Sequence, residues 1–311
     1  MAILVSGSIA YDTIMVFPDR FRNHLLADQL HILNVCFLTP EMRREYGGTA
    51  GNIAYNLKLL GEEPIVMAAV GEDIQPYLER LARLGIAAGQ LATIAGQFTA
   101  QAFITTDLDD NQITAFHPGA MDYSHHNHVG RALGARLAII GPSGKQGMQQ
   151  HARECAAHGI PFLFDPGQGL PMFSRQELEE LVRLADYVAV NDYEGKLLEE
   201  KTGRQLEDLA TELKALVLTL GAKGSQIRAD GVLHEIPCVE AETLADPTGC
   251  GDAYRAGLLY GIARGWDWGR TGRLASLMGA IKIAHRGAQN HRPTRVEIEA
   301  RHREAFGSSP W

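Results

Sequence analysis

From Leu137 onward the chain alternates short apolar runs with longer amphipathic stretches. Leu137 to Ile140 is followed by a helical pattern near Gln149 to Ala157, then Phe162 to Phe164, a second helical pattern near Gln176 to Leu184, and Tyr187 to Val190. Short runs without polar alternation suit strands covered on both faces, and a strand-helix-strand rhythm is what joins parallel neighbours. The same reading takes Ala2 to Ser6 and Ile65 to Val70 as buried strands, and Tyr77 to Leu84 as a helix stopped at Gly85. Strands in the second half exit at polar or glycine residues, and ligands of open α/β sheets collect at such carboxyl ends. A length of 311 residues, 45% hydrophobic and 21% charged, allows one large α/β domain spanning residues 1–311. No Pro/Ser-rich linker divides it.

Two glycine-rich stretches stand out against this background. The first is Tyr46-Gly-Gly-Thr-Ala-Gly-Asn52, leading into Ile53, Leu57 and Leu60 at helical spacing, with Asn52 expected to start the helix. The second is Asp246-Pro-Thr-Gly-Cys-Gly-Asp252, leading into Ala253, Ala256, Gly257, Leu259 and Tyr260. There Gly249 and Gly251 are expected to let the backbone turn tightly and approach a ligand. A helix start offers unpaired N–H groups and the positive end of the helix dipole, which suit a phosphate. A carboxylate beside that phosphate makes chemical sense if Asp252 accepts a proton from the group attacking it. Taken alone, the same residues would serve as a glycine turn with an acidic helix cap.

Together, in this order and spacing, the two stretches resemble the paired signatures of the PfkB family, the ribokinase-like carbohydrate and nucleoside kinases. The resemblance covers most of the chain. It implies a ribokinase-like three-layer α/β/α sandwich with a central mostly parallel sheet and a small β lid, built from segments near 13–44 and 98–118. It implies ATP and Mg²⁺ as cofactors, Asp252 as base, and the N–H groups of Gly249, Cys250 and Gly251 as an anion hole. Asp12, Gly48 and Asn52 would hold the substrate sugar. Asn191-Asp-Tyr-Glu194 resembles the family's Asn-x-x-Glu element, with Asn191 near phosphate and Glu194 near Mg²⁺ directly or through water. The same four residues also read as a helix cap with Glu at its third position. Thr219, Gly221 and Gly224, in Thr-Leu-Gly-Ala-Lys-Gly, would border ATP together with Gly251, and the stretch Ala288 to Asn290 would hold adenine. Asp246 and Thr248, with carbonyls near His285 and Gly287, resemble a monovalent-cation site that would take K⁺.

Within the family, the wording around Asp252 and the apolar residues Phe17, Phe37, Phe103, Phe116 and Met121 favour a nucleoside acceptor such as adenosine, phosphorylated at its primary 5′ hydroxyl. Phe103 and Phe116 fall in two alternating runs joined by a turn at Asp107 to Asn111, a hairpin whose aromatics could stack on a base or pack as core. A sugar kinase of ribokinase or fructokinase type is the alternative. A nucleoside-binding sensor without transfer would be favoured by loss of Asp252 or its glycines. Two departures from the family's usual wording are Asp165-Pro-Gly-Gln168 and Cys250.

A net charge of −8 without a basic stripe excludes nucleic acid as the main partner. No apolar run reaches membrane-span length, and the N-terminus lacks a charged region followed by a cleavable apolar one. Cys36, Cys155, Cys238 and Cys250 lack zinc-type spacing, so free thiols and a cytoplasmic location are expected. The lid edge leaves room for pairing two copies into a homodimer. Gly141-Pro-Ser-Gly-Lys145 lacks the spacing of a phosphate loop, and Gln146 stands where a magnesium-binding hydroxyl would be. His125, His126 and His128 lie on a polar loop with no acidic neighbour at metal-ligand spacing.

Overall fold

A computed structural model of the protein describes residues 2–25, 35–109, 111–132 and 134–311. Leu30, Ile32 and Leu33 of the expected lid, and Asp110 of its turn, lie outside the described residues. The first strand, β1 (Ala2–Ser6), sends Ile3 and Val5 into one core and Leu4 into another on the opposite face. All three are fully buried, which is why the run is apolar without alternation.

The chain continues through β2 (Ala10–Val16), β3 (Glu41–Gly47), α1 (Thr49–Leu59), β4 (Glu63–Val70), α2 (Gln75–Leu84), β5 (Ala87–Thr93), β6 (Ala100–Thr106) and β7 (Gln112–His117). Its second half holds the expected rhythm: β8 (Leu137–Ile140), α3 (Lys145–Ala157), β9 (Phe162–Phe164), α4 (Arg175–Leu184) and β10 (Tyr187–Asn191). There follow α5 (Asp192–Thr202), α6 (Leu206–Ala210), β11 (Ala215–Thr219), β12 (Ser225–Ala229), β13 (Val232–Ile236), α7 (Cys250–Ala263), α8 (Trp268–Ile283) and α9 (Arg295–Phe306).

A nine-stranded sheet runs in the order β13-β12-β11-β10-β9-β8-β1-β4-β5, parallel except that β12, near one edge, runs antiparallel to both its neighbours. Residues of α1, α2 and α7 fill one core, and residues of α3 to α6 fill the other, giving three layers. Strand order reverses at β1, with β4 to one side and β8 to the other. Loops leaving the carboxyl ends of β1 and β8 therefore diverge and open a crevice. Helix α7 lies close on α8 because Gly257 and Gly261 carry no side chain. A Cβ on Gly257 would stand 2.5 Å from the Ala275 Cα, and one on Gly261 2.4 Å from the Thr271 hydroxyl.

A second sheet, in the order β3-β2-β6-β7, forms the lid. Strand β2 leaves the crevice almost directly from β1, and β3 returns to it just before α1, so the lid is rooted there. The expected hairpin is β6 with β7, in antiparallel register. One boundary differs from expectation. Helix α1 begins at Thr49, with Gly48 as its cap at φ +85°, so Asn52 stands inside the first turn. Helix α8 begins at Trp268 because the Asp267 side chain accepts from the Arg270 N–H.

Candidate active site

The N-terminus of α7 is built by Gly249, whose φ of +80° is open to glycine and whose added Cβ would lie 2.8 Å from the Ala288 Cβ. Gly251 differs from the sequence reading. It is helical, and a Cβ there would meet nothing within 4 Å. Only Gly249 needs glycine's backbone freedom, while Gly251 keeps space clear outside the helix. The three N–H groups also separate. That of Cys250 donates to the Pro247 carbonyl at 3.2 Å, whereas those of Gly249 and Gly251 meet no acceptor among the described residues. The open pair lies at the positive end of a long helix, a setting that suits an anion.

Asp252 lies in the first turn of α7, partly open to the crevice, and the Asn52 amide donates to its Oδ2 at 2.8 Å. Gln289 holds Asn52 from behind, donating from Nε2 to the Asn52 Oδ1 at 3.0 Å and to the Tyr77 hydroxyl at 2.7 Å. Asn52 is 4% exposed, so its amide is occupied in orienting Asp252. Burial pushes the Asp252 carboxyl up to about 7, opposed by the Asn52 hydrogen bond and assisted by the charge of Asp165. One turn on, Arg255 meets Asp165 in a buried ion pair, Nε to Oδ2 at 3.1 Å and the terminal nitrogen to Oδ1 at 3.4 Å. Neither role is marked in the sequence: Asp165 stands out only as part of a departure from the family's usual wording, and Arg255 lies within an apolar helical run. A charge among Ala253, Tyr254, Ala256 and Gly257 was the available signal.

Beside Gly251 opens a cavity of about 680 Å³, with Thr219, Gly221, Gly224 and Cys250 on its wall. Gly224 must be glycine here, since at φ +86° an added Cβ would strike the Ile236 carbonyl at 2.1 Å. The far wall is apolar, from Val239, Leu244, Ala280 and Ile283. Ala288 to Asn290 do not line this cavity. Ala288 packs on Gly249, Gln289 is spent on Asn52, and the Asn290 amide donates to Glu45 of the lid at 2.8 Å.

Asp12, at the root of the lid, lies within electrostatic reach of Asp252. Burial, with the charges of Asp246 and Glu45, pushes its carboxyl up to about 6. Gly47 is glycine because a Cβ there would lie 2.5 Å from an Asp12 carboxylate oxygen. Gly48 has a different reason, since its Cβ would collide with the Ser8 carbonyl at 2.5 Å. In the lid register Asp12 stands opposite Ala102, and Ala102 opposite Phe116, so Asp12 and Phe116 share a face. Phe103 pairs with Thr13 and Ala115 and points to the other face. The two aromatics, 52% and 41% exposed, therefore cannot stack together on one base.

The pfkB family carbohydrate kinase pattern matches residues 21–295. The chain belongs to the pfkB family. It resembles the Burkholderia thailandensis nucleoside kinase solved in complex with inosine, at 54% identity and a TM-score of 0.90, with 99% of each chain covered. A structure of the same kinase in complex with ADP-inosine matches at 55% identity and a TM-score of 0.88, covering 99% of this chain and 97% of that one. The nucleoside kinase of Methanothermobacter thermautotrophicus is 32% identical, with 99% of this chain and 97% of the relative covered. As a pfkB kinase of ribokinase-like fold, the protein is a phosphotransferase with an alcohol group as acceptor.

Asn191 and Glu194 of this pfkB kinase form a reciprocal cap on α5. The Glu194 N–H donates to the Asn191 Oδ1, and the Asn191 N–H to the Glu194 Oε2, both at 2.8 Å. They line a separate cavity of about 330 Å³ with Gly167 and Gln168. One Glu194 oxygen is left over, and among the described residues no three His, Cys, Asp or Glu side chains gather as a metal cage. That donor set fits Mg²⁺, which keeps waters and is held largely by substrate phosphates.

The expected monovalent-cation residues do not fit an ion. The Asp246 carboxylate accepts from the N–H groups of Thr248 and Gly287, each at 2.9 Å, and Thr248 is exposed. The Asp246 carbonyl accepts from the Lys282 ammonium at 2.6 Å. His128 pairs with Glu154 at 2.7 Å, a partner 26 positions away. No described helix is long and apolar enough to cross a membrane.

Proposed function

We propose that this pfkB-family enzyme transfers the γ-phosphoryl group of ATP to the primary 5′ hydroxyl of a nucleoside, with Asp252 as general base. The observation that carries the reading is the position of Asp252. It directly follows Gly251, which lines the cavity, and it lies within electrostatic reach of the lid-root carboxylate of Asp12, while burial raises its affinity for protons to about 7. A base near neutrality is ionised in a large fraction of molecules yet still takes a proton readily. Asp252 removes the hydroxyl proton as the hydroxyl oxygen bonds to the γ-phosphorus. The bond from that phosphorus to the β-bridging oxygen breaks, releasing ADP. The free N–H groups of Gly249 and Gly251 receive charge on the transferring oxygens. Mg²⁺, when bound with ATP near Glu194, supplies further charge compensation.

Asp12 grips the ribose hydroxyls in this reading, with Phe116 covering the nucleoside from the lid. Thr219, Gly221 and Gly224 border the nucleotide, and Asn191 holds Glu194 in place. A nucleoside is favoured because relatives over nearly the whole chain bear that name, one of them in complex with inosine. Adenosine and inosine are the first substrates to try. A panel of nucleosides and free sugars assayed with MgATP tests the assignment. Turnover of purine nucleosides at the highest kcat/KM is expected, and ribose or fructose as the better acceptor would overturn it. The reading extends to the cytoplasm, where ATP is at hand, and to a homodimer joined through the open lid edges β3 and β7, which light scattering checks.

A further inference from the structure

Lys282, on α8, is 0% exposed. A buried ammonium needs acceptors, and this one donates to the Asp246 carbonyl at 2.6 Å and the His285 carbonyl at 3.1 Å. The two segments it joins are stitched by three further bonds. The N–H groups of Ala245 and Asp246 donate to the Ile283 carbonyl at 2.9 and 3.1 Å, and the Gly287 N–H donates to the Asp246 carboxylate at 2.9 Å. Asp246 begins the loop that ends at Gly249, the cap of α7. Whatever fixes the Asp246 carbonyl therefore fixes the approach to the two free N–H groups.

We propose that the Lys282 ammonium is a built-in monovalent cation that holds this loop in place, so that the kinase works without a bound potassium ion. The carbonyls a small cation would need already face a positive charge carried by the chain itself. A second cation among them would be repelled and would find two of its oxygens taken. Lys282 touches no reacting atom and is a positioning residue. Its charge also lies within electrostatic reach of Asp252 and Cys250, behind the end of α7 that receives the phosphoryl group. The proposal rests on the reading that the N-terminus of α7 is that receiving site.

The test begins with the wild-type enzyme, its kcat and melting temperature compared in potassium chloride and in tetramethylammonium chloride at equal ionic strength. Neither should differ between the salts, and activation or a raised melting point in potassium overturns the proposal. Lys282→Ala opens room for an ion, while Lys282→Met fills the space without charge. In tetramethylammonium both should lose roughly 10- to 100-fold in kcat, the scale of groups that hold another group in place, with little change in nucleoside KM. Potassium should restore much of the loss in Lys282→Ala and none in Lys282→Met. Wild-type kcat in Lys282→Met, or no rescue in a folded Lys282→Ala, sinks the idea. If neither variant folds, the wild-type salt comparison decides. Asp252→Asn loses turnover in every salt, so an error in the base assignment shows there and not in the ion response.

Discussion

The Asn52 amide donates to the Asp252 carboxylate at 2.8 Å across 200 positions of sequence. This bond brings the two glycine-rich stretches to one point. It also stabilises the ionised form of a carboxyl that burial otherwise drives toward its neutral form.

Removing the charge separates stability from activity. Asp252→Asn should lower kcat by about 100-fold or more while ATP binding, measured by calorimetry, persists. Folding raises the Asp252 proton affinity from 3.8 to about 7, so the folded state binds the extra proton between those values. Wild-type stability from this group is therefore undiminished below about pH 4 and falls as pH rises toward 7. The Asn variant should melt above wild type at pH 8, with the gap closing toward pH 4. An unchanged kcat would remove Asp252 as base.

Asn52→Leu takes away the bond that favours the ionised carboxylate. The acid limb of the kcat profile should then move to higher pH. A profile that merely scales down, with its midpoint unmoved, would show that Asn52 does not tune the base.

Gly251 and Gly249 should respond oppositely to alanine. At Gly251 the added methyl meets no protein atom, so Gly251→Ala should match or exceed wild-type stability, by about 0.5–1 kcal/mol, while weakening ATP binding in the cavity it points toward. Gly249→Ala meets Ala288 and a positive φ, and should lower the melting temperature. Thermal unfolding and nucleotide titration of the two proteins check this.

Arg255→Met leaves Asp165 buried without its partner and should cost about 3–5 kcal/mol in denaturant unfolding. The double variant with Asp165→Leu should recover much of that loss. Simple addition of the two single effects would deny the coupling.

Lid register separates the two aromatics. Phe116→Ala, on the Asp12 face, should raise nucleoside KM, whereas Phe103→Ala, on the opposite face, should leave it near wild type. Equal effects would contradict the assigned faces.

Local pattern alone determined the alternation of buried strands and helices on which the α/β fold is built. Strands such as Leu137–Ile140 and Phe162–Phe164 are buried on both faces, and that leaves a continuous apolar mark readable in sequence. The glycine-bearing helix start at Asp252 was equally legible, because backbone conformation restricts which residues fit there. Tertiary structure alone decided which polar groups became partners. Arg255 with Asp165, Lys282 with Asp246, and Gln289 behind Asn52 are each joined by chain segments far apart in sequence. Their pairing follows from desolvation in a shared interior, which depends on what the fold brings near and leaves no periodic trace along the chain. The same holds for Gly251, whose role lies in the open space beside it.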